Sequence, residues 1–225
     1  MNHREESKNL FQTRKSHRKF DKSKPIPQAT LDNILTDALR APSWANTQPW
    51  EVFVATGDTL EAVREAYLAA FDRSEPYHTD VPVPKEWPEY MQERSVRNSI
   101  HMFECMGIDR EDEKARELNR RNNIKFFDGT ALVIICQERS LTDWSTMDLG
   151  TFAGYLVLAA EHHHVQSVPA FNSIAYPQIL REKLSIPDHL IIRSGVVLGY
   201  AVEDSPYNEH TSDREALHQM VHFLN

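Results

Sequence analysis

The strongest constraint on the fold of this chain is a run of six apolar residues, Ala131–Cys136, followed closely by the apolar segment Met147–Ala160. A short apolar run rich in β-branched residues is typical of a strand that is buried on both faces. Met147–Ala160 is long enough for a helix, and Gly150 and Gly154 would let another backbone approach it closely. The two segments therefore predict a buried strand followed by a closely packed helix.

Strand and helix patterns alternate through the rest of the chain. Further strands are predicted at Glu51–Ala55, Val165–Phe171 and Ile191–Leu198. Helices are predicted at 3–13, 31–39, 60–71, 109–119 and 178–184. This alternation indicates an α/β or α+β architecture, and a chain of 225 residues is expected to form a single domain, 1–225.

Two parts of the chain do not fit the alternation. Residues 73–88 hold four prolines in sixteen positions. A loop of that length is often a lid, so a lid-like excursion is expected at about 73–123. The polar, irregular end of the sequence predicts a C-terminal arm at about 203–225.

The excursion itself contains a helical pattern. Pro88 suits the first position of a helix, and Gly107 would end it. Apolar side chains recur within this helix at positions that share one face, namely Val96, Ile100 and Phe103. That face is predicted to be buried.

The charge of the chain is acidic overall but basic at one end. The formal net charge is −8, whereas residues 1–24 carry eight Lys and Arg against three Asp and Glu, which gives that segment +5. Overall acidity argues against general nucleic-acid binding. A local basic patch on an acidic protein fits a small anionic ligand better than a polyanion.

The basic patch is concentrated in Arg14–Phe20, with the sequence Arg-Lys-Ser-His-Arg-Lys-Phe. Two guanidiniums, an ammonium and a hydroxyl are what a phosphate dianion requires. On composition alone, a solvated and positively charged helix end explains the cluster equally well.

A second informative segment is Arg40–Trp50, which closes a helical pattern. It holds neutral hydrogen-bonding side chains between two prolines: Ser43, Asn46 and Gln48. A helix stop with capping groups would explain Pro42 and Ser43 but does not require the two amides. Together the two segments suggest a ligand with a charged tail and a flat head rich in heteroatoms.

These segments resemble the FMN-dependent nitroreductase family, whose early Arg-x-Ser-x-Arg-x-Phe and Ala-Pro-Ser-x-x-Asn-x-Gln-Pro-Trp blocks match at Arg14–Phe20 and Ala41–Trp50. The resemblance extends from about Arg14 to Arg214. It implies an α+β fold, an α/β/α sandwich with a central, mostly antiparallel sheet. It also implies an intertwined homodimer with two FMN sites at the interface.

The resemblance further implies roles for individual residues. The flavin phosphate and ribityl chain would be held by Arg14, Lys15, Ser16 and Arg18. The isoalloxazine ring would be held, partly across the dimer interface, by Pro42, Ser43, Asn46 and Gln48. Asn122 and Lys125 would reach the flavin from below, with Asn119 and Arg121 as nearby competitors.

Two more parts of the site follow from the same resemblance. Backbone N–H groups of the loop Pro169–Asn172 would bond flavin N5 and O4. Proline has no N–H, so the candidate donors are Ala170, Phe171 and Asn172. Arg214 would close on the phosphate, although a helix-start charge beside Asp213 and Glu215 is the alternative.

The expected activity is reduction of nitroaromatics by a ping-pong mechanism, from nitro to nitroso to hydroxylamine, with NADPH or NADH as transient electron donor. Flavin N5 carries the chemistry and no protein nucleophile is required. Reductive dehalogenation, enone reduction and flavin binding without turnover remain alternatives. Trp44 is expected to crowd or stack in the pocket, and Trp87 and Tyr90 are candidates for a substrate wall, with surface packing as an equally good account.

Several other functions are not supported by the sequence. It lacks Gly-x-Gly-x-x-Gly, Walker and Gly-x-Ser-x-Gly motifs. Three consecutive histidines, His162–His164, cannot face one ion on a helix, so no metal site is expected. Cys136 is expected to be a packed core thiol. With no apolar stretch resembling a secretory signal or a membrane span, the protein is expected to be soluble and cytoplasmic.

Overall fold

The computed structural model describes residues 10–224 and shows a four-stranded antiparallel sheet with the strand order β1-β2-β4-β3. In chain order the elements are α1 (Gln28–Ala38), β1 (Trp50–Thr56), α2 (Gly57–Asp72), α3 (Glu89–Cys105), α4 (Glu113–Ile124), β2 (Ala131–Glu138), α5 (Asp143–His162), β3 (Gln166–Pro169), α6 (Pro177–Leu184), β4 (Leu190–Gly199), α7 (Pro206–Glu209) and α8 (Leu217–Met220). Three 3-10 turns lie at Trp44–Asn46, Phe126–Asp128 and Phe171–Ile174. Most of the predicted helix 3–13 lies outside the described residues.

Strand β2 is the central element, because it pairs with both β1 and β4. The predicted apolar run forms its first six residues, all of which are fully buried. Burial also raises the pKa of the Cys136 thiol to about 12, as expected for a packed core cysteine. The prediction of a buried strand is therefore confirmed.

Alternate residues of β2 face two separate hydrophobic cores. Leu132, Ile134 and Cys136 pack on one face, in the core that contains Tyr67 of α2. Ala131, Val133 and Ile135 pack on the other face with α1 and α5. This division follows from the two-residue period of a strand. It produces the expected α/β/α sandwich with an antiparallel sheet.

Helix α5 is longer than predicted and is covered on only one side. Phe152 and Leu156 are fully buried, while Trp144, Met147 and Tyr155 are 64%, 67% and 40% exposed. A Cβ added at either glycine of α5 would meet no atom within 4 Å. Within residues 10–224, no other backbone makes the close approach that these glycines permit.

The prediction of a buried face on α3 is wrong for this chain. None of the residues of α3 is buried, and Val96 and Ile100 are 45% and 54% exposed. The apolar spacing correctly indicates a helix, but no other described element covers its apolar face. Helix α4 also begins later than predicted, with Asp112 as its N-cap, accepting a hydrogen bond from the backbone N–H of Ala115 at 2.9 Å.

The start of the excursion is attached to the body of the domain. Asp80 forms a buried ion pair with Arg181 and accepts the backbone N–H of Ile192 at 2.9 Å. The backbone N–H of His78 donates to the carbonyl of Ala175 at 3.1 Å. Residues 82–90 beyond this attachment are exposed. The first residues of the predicted excursion, 73–123, are thus fixed to the body of the domain.

None of the helices described within residues 10–224 has both the length and the apolar composition that crossing a membrane requires.

We predict that Asp80→Ala destabilises the protein by about 3 kcal/mol, because it leaves the buried Arg181 guanidinium without its partner. Urea unfolding measures the effect. Asp72→Ala is the matched control, since it breaks the exposed pair with Arg121 and should change stability little. Equal losses in the two variants would contradict the prediction.

Candidate functional site

The basic segment Arg14–Phe20 lies along the edge of the sheet next to β3. Ser16 forms a parallel bridge with Ser167, and the backbone N–H of His17 donates to the carbonyl of Ser167 at 3.1 Å. Phe20, only 1% exposed, anchors the end of the segment in the core, and its N–H donates to the carbonyl of Phe127 at 2.9 Å. The cluster is therefore part of the folded sheet and not a free, solvated helix end.

Asn208, near the end of the chain, fixes the main chain of the basic segment. Its Oδ1 accepts the backbone N–H groups of Arg18 at 2.8 Å and Lys19 at 3.0 Å. Its Nδ2 donates to the carbonyls of Lys19 at 2.8 Å and Val202 at 3.0 Å. The buried side-chain amide thus uses all of its hydrogen-bonding capacity. Sequence reasoning missed this residue, which lies in a polar stretch without any local pattern.

The structure also brings Asn122 and Lys125 to the basic segment. Asn122 Nδ2 donates to the carbonyl of Arg18 at 2.9 Å. The ammonium groups of Lys19 and Lys125 share one carboxylate, Asp128, at 2.5 and 2.9 Å. Burial alone would raise the pKa of Asp128, but the hydrogen bonds from the two lysines lower it. One carboxylate thus pairs with both ammonium groups, and the three groups together keep a net charge of +1.

Asn119 and Arg121, the alternatives to Asn122 for contacting the flavin, make other contacts. Arg121 pairs with Asp72 at the surface. Asn119 is buried, its Oδ1 lacks a hydrogen-bond partner, and its carbonyl accepts from Asn123 at 2.7 Å. Of the alternatives on α4, Asn122 is thus the one that contacts the basic segment.

Arg18 is the cation best placed to bind an anion. Its guanidinium donates to the Ser16 carbonyl at 3.3 Å, and no carboxylate within residues 10–224 forms an ion pair with it. Burial lowers the pKa of Arg18 from its ordinary value, because desolvation disfavours the charged form. A bound phosphate would replace the interactions with water that this partly buried guanidinium loses.

The loop after β3 offers two backbone donors. The N–H of Ala170 donates to the carbonyl of Gly195 at 3.1 Å, so this one of the three predicted donors is already occupied. Phe171 and Asn172 are the first residues of a 3-10 turn, where N–H groups have no partner within the turn. The close contact with β4 requires a glycine, since a Cβ at Gly195 would lie 2.2 Å from Ser173 Oγ.

The segment Pro42–Gln48 forms an exposed turn before β1. Three of its residues have positive φ, namely Ala45, Asn46 and Gln48. Ser43 Oγ accepts the backbone N–H of Gln48 at 3.0 Å, which holds the turn closed. Trp44 is 68% exposed, and its ring lies 5.8 Å from the Trp144 ring of α5. The neutral polar groups of this turn thus face outward from the chain.

The basic segment and this turn lie at opposite corners of the sheet. Strands β1 and β3 are its two edges. The register across the sheet runs from Ser16 through Ser167, Leu198 and Ala131 to Thr56. Trp50 lies six residues from Thr56 along β1. Standard strand rise and spacing then separate Ser16 from Trp50 by roughly 28 Å. One chain does not bring the two segments to one small ligand.

The remaining predicted residues lie around α3. Arg214 donates to the carbonyls of Ser212 at 3.0 Å and Asp213 at 2.8 Å, and lines a cavity of about 290 Å³ with residues of α3. Trp87 and Tyr90 are 54% and 52% exposed. These three side chains are not brought into direct contact with the basic segment.

The histidine run has a local structural role. His163 Nε2 lies 2.8 Å from Asp37 Oδ2, which joins the end of α5 to α1. The ring of His162 packs edge-on against that of His163, with centroids 5.1 Å apart.

His17 adds no charge to the basic segment near neutral pH. Burial, followed by the nearby charge of Lys15, lowers the pKa of His17 to about 4. Its Nδ1 is buried without a hydrogen-bond partner. The imidazole therefore stays neutral between its cationic neighbours.

The shift predicts a pH dependence of stability. Between about pH 6.5 and pH 4 the unfolded chain binds a proton at His17 that the native protein does not, so stability falls as the pH falls through this window. We predict that His17→Gln loses less stability than the parent between pH 7 and pH 5, as measured by urea unfolding. His218→Gln, an exposed control, should follow the parent. Parallel losses in all three proteins would contradict the prediction.

Comparison with known proteins places this geometry in context. Residues 11–200 match the Nitroreductase family. The nitrobenzene nitroreductase of Ectopseudomonas oleovorans is 29% identical over 220 residues, which cover 96% of this chain and 95% of that protein. The 4-nitrobenzoate reductase of Nocardioides sp. is 28% identical over 203 residues, covering 88% and 82%.

A solved structure has the same fold. The FMN-dependent nitroreductase NfnB from Mycobacterium smegmatis, in complex with NADPH, aligns with a TM-score of 0.91 at 24% identity, over 97% of this chain and 98% of that one. The family match extends through the basic segment, the Pro42–Gln48 turn and all four strands of the sheet. On these grounds, this chain belongs to the nitroreductase family.

Proposed function

We propose that this protein is an NAD(P)H-dependent FMN oxidoreductase that reduces nitroaromatic or related electrophilic small molecules. The observation that carries the proposal is the position of Arg18 on the same sheet edge as the loop Pro169–Asn172, with a partly buried guanidinium that forms no ion pair with any carboxylate of residues 10–224. That edge combines cations for a phosphate with free N–H groups for a flat heterocycle.

The residues present fit FMN at its phosphate end. Arg14, Lys15, Ser16 and Arg18 would hold the phosphate and ribityl chain. Asn122 Nδ2 donates to the Arg18 carbonyl at 2.9 Å and holds the main chain of the basic segment in place. Arg214 would close on the phosphate from the C-terminal arm. These assignments use charge-assisted hydrogen bonds, which are stronger than neutral ones.

The fit at the ring end follows from the loop after β3. The unpaired N–H groups of Phe171 and Asn172 would bond ring N5 and O4. When bound, FMN supplies the two-electron transfer from NADPH or NADH to the acceptor. Lys15 or Arg18 would stabilise the negative charge that develops on the N1/O2 side of the ring. The chain orients the ring and balances its charge, and provides no nucleophile.

The other face of the ring would be covered by a second copy of the chain. Because Ser16 and Trp50 lie roughly 28 Å apart in one chain, Pro42, Ser43, Asn46 and Gln48 would contact the flavin held by the partner. The exposed face of α5, with its two uncovered glycines, offers apolar surface for such a homodimer. An intertwined dimer of this type would bury more than about 2,000 Å².

The choice of nitroaromatics rests on the relatives. Proteins named as reductases of nitrobenzene and 4-nitrobenzoate align over most of this chain at 29% and 28% identity. The NADPH complex of NfnB supports NADPH as donor. Flavin binding without turnover is the alternative; it would require Trp44, which is exposed in the turn and contacts Trp144 of its own chain, to block the pocket.

We predict that protein purified with added FMN shows the visible absorption of an oxidised flavin. Anaerobic NADPH should bleach this absorption, and 4-nitrobenzoate should restore it. Protein that takes up no FMN would overturn the site. A bound flavin that NADPH does not bleach would instead favour the non-catalytic alternative.

Mixed dimers test whether each site is divided between two copies. Arg18→Ala removes a charged donor to the phosphate and should weaken FMN binding about tenfold or more. Asn46→Asp places a carboxylate on the turn that would face the ring, and keeps a side chain that tolerates positive φ. We predict low activity for each variant alone.

A dimer with one copy of each variant should contain one intact site and regain about half of the parent activity per dimer. Tandem purification with two affinity tags isolates it, and flavin content is measured together with NADPH oxidation. If both segments served one site within one chain, the mixed dimer would stay inactive. That result would contradict the divided site.

A further inference from the structure

We propose that Tyr77, together with the ring of Phe171, forms the wall against which the aromatic electron acceptor stacks. This inference rests on the proposed function and identifies residues that determine its acceptor specificity. It assigns the role first considered for Trp87 and Tyr90 to a different part of the excursion.

The segment that carries Tyr77 has a fixed position. The hydroxyl of Tyr176 donates to the carbonyl of Glu75 at 3.2 Å on one side of it. On the other side, the N–H of His78 donates to the Ala175 carbonyl at 3.1 Å, and Asp80 is paired with the buried Arg181. Tyr77 is thus held against residues 171–176, the turn that begins with the two free N–H groups.

The aromatic rings form a continuous series from the core to the surface. Buried Tyr67 packs edge-on against Tyr176, with centroids 5.1 Å apart. Tyr176 in turn contacts Tyr77 at 5.5 Å, and Tyr77 contacts Phe171 at 6.3 Å, with interplanar angles of 70° and 71°. Edge-to-face geometry at these distances is favourable.

The last two rings of this series are only partly covered by the other described residues, 10–224. Tyr77 is 44% exposed and Phe171 is 48% exposed, whereas Tyr176 is 5% exposed. Two rigid, half-exposed aromatic rings beside a loop with free backbone donors offer a preorganised surface for a flat molecule. The order Tyr67, Tyr176, Tyr77 explains why the outer ring stays in place without being buried.

The placement of these rings distinguishes them from Trp87 and Tyr90. Phe171 carries one of the N–H groups assigned to the flavin ring, so its side chain belongs to a residue that would contact the cofactor. Tyr90 lies at the start of α3, where its ring contacts the Arg94 guanidinium at 5.1 Å from the centroid. Trp87 precedes α3 in the exposed part of the excursion.

The chemistry of the wall fits an electron-poor arene. A nitroarene stacks favourably on an electron-rich phenol or phenyl ring. The Tyr77 hydroxyl can also donate to a nitro or carboxylate oxygen. Burial raises the pKa of Tyr77 above its ordinary value, so the hydroxyl keeps its proton at neutral pH. Small inorganic oxidants have no flat face and gain nothing from this wall.

Stopped-flow reoxidation of the NADPH-reduced holoenzyme separates oxidants that stack on the wall from oxidants that do not. The oxidants are 4-nitrobenzoate and ferricyanide, and the variants are Tyr77→Leu, Phe171→Leu and Tyr77→Phe. Either leucine variant should lower the second-order rate constant with 4-nitrobenzoate about tenfold, the size of one lost aromatic contact. In Tyr77→Leu the rate constant with ferricyanide should remain unchanged. Tyr77→Phe keeps the ring and should retain most of the rate.

Trp87→Leu is the control and should leave both oxidants unaffected. Loss of rate with both oxidants in Tyr77→Leu, or with neither, would overturn the proposal. So would a selective loss in Trp87→Leu alone. A parent enzyme that neither NADPH nor NADH reduces would refute the proposed function itself, which keeps the two failures distinguishable.

Discussion

A strand that is buried on both faces imposes the architecture of this protein. Because Ala131–Cys136 is apolar at every position, helices must cover it on both faces of the sheet. Strands β1 and β4 pair with it on its two sides. The basic segment Arg14–Phe20 lies along the outer edge of β3, and the Pro42–Gln48 turn leads into β1, the strand at the opposite edge.

Attachment at the edge depends on groups that are far apart along the chain. Asn208 fixes the basic segment from a position 190 residues after Arg18, and Asn122 does so from 104 residues away. Both use side-chain amides on backbone groups, which fixes the path of the main chain without consuming the cationic side chains. The Asp128 carboxylate forms ion pairs with Lys19 and Lys125, whereas the arginines of the segment remain available to bind an anion.

The sequence predicted what depends on local pattern. The buried run of β2 and most of the helices follow from periodicity, and the structure has them near the expected positions, although α4 begins later and α5 is longer than predicted. The sequence did not predict the Asn208 contacts or the attachment of Asp80 to Arg181, since nothing near Asn208 or Asp80 in the sequence indicates its distant partner. The apolar face of α3 is a different case. Periodicity correctly gave the helix, but burial depends on a covering surface that the spacing cannot specify.

The Asn208 contacts also determine when the basic segment can become ordered during synthesis. Arg14–Phe20 is synthesised well before Asn208, one of its main-chain partners. The sheet edge that supports it requires β3 and β4, which are also synthesised later. The cationic segment therefore stays without these partners until β3, β4 and Asn208 have been made. Its final structure depends on contacts that are distant in sequence.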